Sequence, residues 1–552
     1  MLAYFMYQYE TTIYINIGNW LNMGDLNMPY GLALDNLAMT VLVPVGIITL
    51  CVLLYAMAYM AHDPNRNRFY IILSMFAMFM TMLIMADNYL MMFMGWEFVG
   101  VMSYLLMSFW STRINAMKSA LSAMLLNRMG DTFFVICLAL TIIYYRAVDF
   151  ETMNLVSPYM NNVTLNSTGM TLVLAATAKS AQLGLHSWLL SAMEGPTPVS
   201  ATLHAATMVC AGMFVLVRSY TMLEYSPSMS TFICWLGGLT TTVSGLIALV
   251  TNDIKRVMAL STMSQTSMMM LAMGISSYDL AMYHLYCHAF FKATLFMAAG
   301  SVMHSLIAET QDMRKYGGLQ QYLPFSYVAM TMASLSLMAM PGLTGYYSKD
   351  IIMESLYGNY SMSGYILYYM AVASATLTSL YSTRLLYLTF INNPMSNRNT
   401  YTFVHENVGM TYPMFMLIMY SMYLGYNRDN VIGHYSLTTP INNHFIDTEF
   451  TVPTLYKLLP LMAGMTLSMW LVYTYEVSYK LNYTTVYSYL NNRIYFDQLL
   501  NNKMMRGMLK MSNKMNVNMD QGTTKATGST GISRAMTYIN MLFMFNLLYT
   551  FI

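Results

Sequence analysis

Apolar runs of about 20 residues, parted by short polar stretches, recur along almost the whole chain, and that is the length an α-helix needs to cross a bilayer. The pattern predicts an all-α polytopic membrane protein with spans at 36–60, 69–86, 88–110, 118–145, 170–191, 196–222, 230–250, 257–275, 279–306, 324–358, 363–390, 409–426 and 455–476. A short apolar end, 535–552, is a further candidate. Basic residues test the parity. Arg66 and Arg68 precede one span, Arg113 and Lys118 lie two spans later, and Lys255, Arg256, Arg314 and Lys315 fall on the same side when spans are counted through. The loop 149–168 carries Asp149 and Glu151 without Lys or Arg and lands opposite, as the positive-inside rule requires.

Two spans are interrupted. One is loosened at Gly184 and ends at Glu194-GPTP-Val199; the other carries Pro341-GLTG-Tyr346 just before Ser348-Lys349-Asp350. Such breaks free backbone groups that only a cavity, a water or a neighbouring helix can satisfy, and paired breaks in two halves of a membrane protein point to an ion path. Ordinary kinks are the alternative. After residue 480 the pattern changes: Phe496, Leu499, Leu500, Met504, Met508, Met511, Met515 and Met519 recur at steps of three and four, with Lys503, Arg506, Lys510 and Lys514 on the other face. That is an amphipathic helix suited to lying along a membrane or a partner.

Composition agrees with the membrane reading. Of 552 residues, 57% are hydrophobic and only 9% charged, against roughly 25% charged in soluble domains. Met1–Tyr9 shows no basic leader or cleavage site of a secretory signal. A net charge of +2 offers no basic face for nucleic acid. Cys51, Cys137, Cys210, Cys234 and Cys287 fall in or beside apolar runs without a CxxC pair, and read as small core residues. No nucleotide, flavin or haem motif is present, so no cofactor is expected on this chain. The 63 methionines fit either a genetic code that reads an isoleucine codon as methionine or AT-rich drift.

Against this apolar background the ionisable residues stand out. Glu97, Asp131, Lys179 and Lys292 lie within spans and Lys349 beside a break, where each charge costs at least ~2.5–3.5 kcal/mol. A lysine in low dielectric can give up its proton near neutral pH, and a nearby carboxylate opposes that. Glu97 and Lys179 therefore form either a toggle or a static buried salt bridge. His284, His288 and Lys292, at steps of four, share one helix face as a titratable ladder. A metal site is the rival for the two histidines. His204 adds another imidazole, or a core histidine satisfied by a carbonyl.

The segments AKSAQLGLHSWLLSAMEGPTPVSATLHAATMVCAG (178–212), FMGWEFVGVMSYLL (93–106), NRMGD (127–131), HAFFKATLF (288–296) and GLTGYYSKD (342–350) closely resemble the antiporter-like proton-translocating family of the respiratory complex I membrane arm. The resemblance runs in order over about residues 20–390, and the FDQLL segment with the basic helix after it looks like the family's lateral helix. It implies two inverted five-helix repeats, each with a discontinuous helix, plus a C-terminal lateral amphipathic helix. On that basis the chain divides into N-terminal spans (1–87), a first repeat (88–222), a second repeat (230–390), additional spans and loops (391–487), the lateral helix (488–535) and an apolar end (536–552). The family's usual WLP is here Trp188-Leu189-Leu190, and the first two family spans are missing or reduced to Met1–Tyr9.

Carried over by position, Glu97 and Lys179 are the coupled pair, with Asp131 and Arg128 as neighbours. His204, His284, His288 and Lys292 form the central axis, and Lys349 with Asp350 the exit-side group. The resemblance further implies a hetero-oligomer of complex I membrane-arm subunits in the mitochondrial inner membrane, beside an adjacent antiporter-like subunit and lipids. FMN, iron–sulfur clusters and ubiquinone would belong to other subunits of that NADH:ubiquinone reductase. A cation/proton antiporter module and a structural subunit that does not pump are the other functions open at this point.

Overall fold

The computed structural model describes residues 12–23, 26–306, 310–358, 362–401, 404–426, 452–477 and 484–550. The chain forms two units, Met1–Leu481 and Asn482–Ile552. The larger is a helical body built from α1 Asn36–Tyr59, α2 Arg66–Ile84, α3 Tyr89–Met107, α4 Ile114–Tyr145 and α5 Asn162–Lys179. It continues through α6 Thr197–Ala205, α7 Met208–Arg218, α8 Pro227–Val250, α9 Ile254–Gly274 and α10 Tyr278–Ser305. Then follow α11 Pro324–Leu337, α12 Ile351–Gly358, α13 Met362–Leu386, α14 Val408–Tyr423 and α15 Thr454–Val477. Each apolar run read between 36 and 476 has helix in its place.

Seven segments among the described residues are long and apolar enough to cross a membrane: α1 to α4, the joined α6–α7 stretch, α8, and Thr454–Thr474 of α15. The inner helices α9 and α10 fall outside that set because they carry the polar groups. Ser261, Ser264 and Gln265 of α9 are buried, as are His284, His288 and Lys292 of α10. Neighbouring helices shield both, so polarity is tolerated inside and apolarity is required only of the outer ring.

Both expected breaks are present, and they share one geometry. After α5, Ala181 takes a left-handed φ of 53°, its N–H donates to Ala178 O, and the N–H of Gln182 donates to Thr177 O. After α11, Ala339 has φ 64°, its N–H donates to Ser336 O, and that of Met340 donates to Leu335 O. This is the Schellman closure that satisfies orphan helix carbonyls, here on alanine rather than glycine. Three residues on, Gly184 and Gly342 have φ of 105° and 86°. The first break therefore forms upstream of Trp188 without a following proline. A third interruption was not read from the sequence: the run 196–222 is split between Ala205 and Met208, where Thr207 Oγ1 donates to Thr202 O at 2.7 Å.

The all-α expectation holds for the body but misses a hairpin at its N-terminal side. Strands β1 Ile13–Met23 and β2 Leu26–Leu34 pair antiparallel, with register shifts at Asn16/Gly18 and Asn19/Leu21. Ile13, Ile15 and Ile17 alternate with Tyr14 and Asn16, a period-two signal that a search for 20-residue apolar runs passes over. The Ala33 N–H donates to Met85 O at 2.8 Å and Asn88 Nδ2 to Pro29 O at 2.7 Å, which fixes β2 to the α2–α3 turn. Beside it Asp35 caps α1 through Ala38 N and pairs with the Arg218 guanidinium at the end of α7.

The opposite rim, where the basic residues gather, is laced together. Lys255 Nζ donates to Gly195 O at 3.1 Å, and Arg256 pairs with Glu194 at 3.4 Å. Arg384 donates to Leu249 O at 2.6 Å, Thr251 O at 2.7 Å and Asn252 Oδ1 at 2.7 Å. In the α10–α11 loop, hydrogen bonds from Arg314 hold the Asp312 carboxyl below the usual carboxylate range. That contact therefore stabilises the loop at neutral pH and is lost as pH falls through the lowered value.

The smaller unit, taken by itself, runs Thr484–Asn491, a turn with Ile494 and Tyr495 at φ of 60° and 55°, helical Phe496–Thr527, a break at Gly528, and Ser529–Thr550. Leu499–Met505 and Asn516–Thr524 are π-wound where an α-helix was expected. Met504, Met508, Met511, Met515 and Met519 are all exposed.

The matched closures give a test. Ala181→Val or Ala339→Val places a β-branched side chain in the left-handed region and should destabilise by more than the ~1–2 kcal/mol that this conformation already costs a non-glycine residue. The glycine variants should be close to neutral. Thermal unfolding of the purified assembly, compared across the four variants, checks this; equal midpoints for Val and Gly would show that the breaks are not held by these turns.

Candidate proton path

The buried charges form a line through the larger unit. At one end Arg128 Nη1 grips Glu97 at 2.7 and 2.8 Å, while its Nε lies 3.9 Å from Asp131. Asp131, 6% exposed, accepts a 2.7 Å bond from Trp96 Nε1. The main-chain oxygen of that same Trp96 accepts from Lys179 Nζ at 3.0 Å, and the ammonium stands 5.1 Å from the Trp96 ring centroid. Gly100 leaves room for it: a Cβ there would be 3.1 Å from Nζ. The direct Glu97–Lys179 pair expected from the sequence is therefore not made. Glu97 is taken by Arg128 and Lys179 by a carbonyl, with Trp96 bridging the two groups. The physical reason is reach: the arginine lies one turn from Asp131 on α4, and its guanidinium holds Glu97 while staying within ion-pair range of Asp131.

From Lys179 the line continues inward past Trp188, whose Nε1 donates to Ala178 O at 2.8 Å. The His204 ring, at the end of α6, lies 6.5 Å from that of Trp188 and 5.7 Å from that of Phe296. Lys292 Nζ stands 5.5 Å from the Phe296 centroid and donates to Ser261 Oγ at 2.5 Å. The α10 ladder has the expected single face, with the His284 and His288 rings 6.3 Å apart. His284 bonds Ser348 Oγ at 2.9 Å through Nδ1 and Gln265 Oε1 at 3.0 Å through Nε2. Both nitrogens are thereby occupied. Ser348 then leads to Lys349, which donates to Thr378 Oγ1 at 3.0 Å.

Lys349 and Asp350 lie on a π-helical turn, Tyr346–Asp350, directly after the second break. They face a 220 Å³ cavity shared with Ser379 and Thr383 of α13 and Ser468 of α15. One turn further on, Glu354 pairs with Lys457 at 3.8 Å. All ten residues singled out from the sequence thus fall on this one line. Those it missed are the neutral partners: Trp96, Ser261, Gln265, Ser348 and Thr378. A signal existed for two of them, since Ser261 and Gln265 are four apart on one face of a span that also carries Thr262, Ser264, Thr266 and Ser267.

A polytopic body with a discontinuous charged axis belongs to the class of ion-translocating membrane proteins. The comparisons with known proteins sharpen this. Residues 86–378 match the family described as NADH:quinone oxidoreductase/Mrp antiporter, transmembrane, and residues 20–70 match the NADH-ubiquinone oxidoreductase (complex I) chain 5 N-terminus. The NADH-ubiquinone oxidoreductase chain 5 of Candida albicans is 69% identical over 545 residues, covering 99% of each chain. That of Yarrowia lipolytica is 47% identical, over 95% of this chain and 82% of its own. In fold, a chain of the Mrp complex from Dietzia sp. superposes with a TM-score of 0.76 at 22% identity, over 99% of this chain and 59% of that one. The chain belongs to the antiporter-like membrane family, in its NADH-ubiquinone oxidoreductase chain 5 branch.

No close, well-aligned hydrogen bond reaches a ring nitrogen of His204 or His288 among the described residues, although both rings are buried and the Ala205 backbone lies near His288. Buried polar groups of this kind are met by ordered water. An experimental density map fine enough to resolve solvent should place water against both imidazoles. Aliphatic side chains closing on all four nitrogens would make these histidines structural.

Proposed function

We propose that protons move along the line from Glu97 to Asp350, which makes this chain a proton-translocating membrane-arm subunit of NADH:ubiquinone oxidoreductase. The observation that carries the reading is the burial of Lys179, His204, Lys292, His288, His284 and Lys349 together inside an apolar helical body. Such groups are expensive at membrane depth, and a scaffold has no use for them. Electron transfer from NADH through FMN and iron–sulfur clusters to ubiquinone is assigned to other subunits, and this chain contributes the proton path. Its lysines and histidines bind and release protons, and the hydroxyls of Ser261, Ser348 and Thr378 orient them. The assignment to the mitochondrial inner membrane follows the chain 5 relatives and fits the methionine-rich composition.

The domain plan is refined in the same spirit. A broken helix comes fourth when helices are counted from Arg66 and again fourth when counted from Pro227, which favours repeats of 66–218 and 227–391 over a first repeat beginning at 88. Partners are inferred from the flanks. Arg128 lies in the middle of α4 with its side chain half exposed, among exposed Leu121, Leu125 and Met129. A charge so placed calls for a neighbour rather than lipid tails, and an adjacent antiporter-like subunit would supply one.

Lys179→Ala, Glu97→Ala and Lys292→Ala should each lower the protons moved per electron in an assembled complex, with quinone reduction falling less than pumping. Vesicle acidification measured against NADH oxidation decides it. Normal stoichiometry in all three variants would leave a structural subunit that does not pump.

The smaller unit is proposed to clamp a neighbouring antiporter-like subunit with its exposed methionine face, while Lys503, Arg506, Lys510 and Lys514 face headgroups or water. Buried area would contribute ~25 cal/mol per Å² before ordering costs. Ending the chain before Phe496 should release the distal arm during purification and leave NADH oxidation by the peripheral subunits intact. Retention of the truncated chain with unchanged pumping would reduce the segment to a surface helix.

A further inference from the structure

One polar cavity lies outside this line. At the basic rim, a space of 140 Å³ opens between the α1–α2 loop, the end of α10, the start of α11 and the segment before α14. His62, His304, His405 and Glu406 line it, together with Ser301 and Ser326. His62 and His405 are exposed at its mouth, and His304 and Glu406 are part-buried within. Four stretches far apart in sequence thus converge three imidazoles and a carboxylate on one space. The lining contains no lysine or arginine for an anion. No cluster of three His, Cys, Asp or Glu among the described residues could hold a metal. What remains is three imidazoles and a carboxylate in contact with water, groups able to exchange protons with it.

Hydroxyl bonds tie the lining together, and ring contacts lead from it toward the interior. Ser301 Oγ donates to Ser326 Oγ at 2.9 Å, and the Ser326 N–H donates to Glu406 Oε1 at 2.9 Å. The His304 ring lies 5.1 Å from that of Tyr59, which stacks on Tyr55 at 5.9 Å. Thr197 Oγ1 donates to Tyr59 Oη at 3.2 Å, and Tyr55, fully buried, donates to Met297 O at 3.0 Å. Gly300 lets the Tyr55 hydroxyl approach α10 closely, since a Cβ there would fall 2.4 Å from Oη. Thr197 opens α6, and His204 lies two helical turns along it, about 10 Å away. Met297 is little more than one turn beyond Lys292 on α10. These contacts therefore end one to two helical turns short of His204 and Lys292.

We infer that the His62–His304–His405–Glu406 cavity is a proton-collecting vestibule on the basic side that loads Lys292 through Tyr59, Thr197 and Tyr55. The inference rests on Lys292 as a proton carrier. An imidazole nitrogen takes a proton from water, gives one inward, and returns to neutral, so each passage leaves the cavity unchanged. Glu406 holds the cationic form in place. The other charged groups near the mouth are engaged: Asp63 accepts from Trp110 Nε1 at 3.2 Å, and Arg66 donates to Ala61 O at 3.5 Å.

The test uses the assembled complex in vesicles with the basic side outward, turning over NADH and quinone. Replacing His62, His304 and His405 by Gln should slow proton pumping about tenfold at alkaline pH, where free protons are scarce, and much less at acid pH. Millimolar imidazole in the outer solution should restore it, which a merely structural role would not allow. The exposed pair alone, His62→Gln with His405→Gln, keeps the test available should the triple variant fail to assemble; it should show the same rescue at smaller amplitude. An unchanged pH profile, or a loss equal at all pH values and insensitive to imidazole, overturns the vestibule. Lys292→Ala separates the two readings: if that variant pumps normally, the proton path itself is wrong, whereas loss there with histidine variants intact removes only the vestibule.

Discussion

The cost of holding a charge away from water governs this structure. Each lysine on the path is met by a neutral oxygen: Lys179 by the Trp96 carbonyl, Lys292 by the Ser261 hydroxyl, Lys349 by the Thr378 hydroxyl. A carboxylate in those places would stabilise the ammonium strongly and hold its proton. A hydroxyl behaves differently, because it accepts from an ammonium and can turn to donate to a neutral amine. Both protonation states are then solvated to a similar degree. The carboxylates meanwhile are occupied elsewhere, Glu97 and Asp131 with Arg128 and Trp96. On the proposed path, this would leave Lys292 and Lys349 in shallow wells, as passage requires.

The same constraint explains the layering of the body. Helices that carry the polar line, α9 and α10, are enclosed along nearly all their length and need no apolar exterior. The outer helices supply that exterior. Backbone freed at the two breaks is returned in part to hydrogen bonds by the turns at Ala181 and Ala339, which take up carbonyls at the ends of α5 and α11.

Much of this was legible in the sequence because apolar run length and isolated charges are strong signals in a membrane protein. The helices, both lysine-flanked breaks and the buried positions of the intramembrane lysines and histidines could be read from residue order alone. What could not be read depends on contacts between distant segments. Arg128 takes Glu97 through a side-chain geometry that spacing does not encode, and the Trp96 carbonyl carries no residue-type signal at all. The interruption at Ala205–Met208 has neither glycine nor proline to announce it. The β1–β2 hairpin obeys a different period from the rest of the chain. The neutral partners are ordinary serines and threonines, whose value appears only once a lysine is seen beside them.

The two alanine turns have a mechanical meaning. Glycine at Ala181 and Ala339 would relieve the left-handed strain but admit many other conformations, whereas alanine accepts roughly 1–2 kcal/mol of strain and restricts the choice. The turns are then stiff elbows, not swivels. Helix segments joined by a stiff elbow keep their ends at a set distance, so the gap beside each flanking lysine has a fixed width. Charge can be redistributed across such a gap by moving protons and a few side chains, while the backbone that frames it stays still.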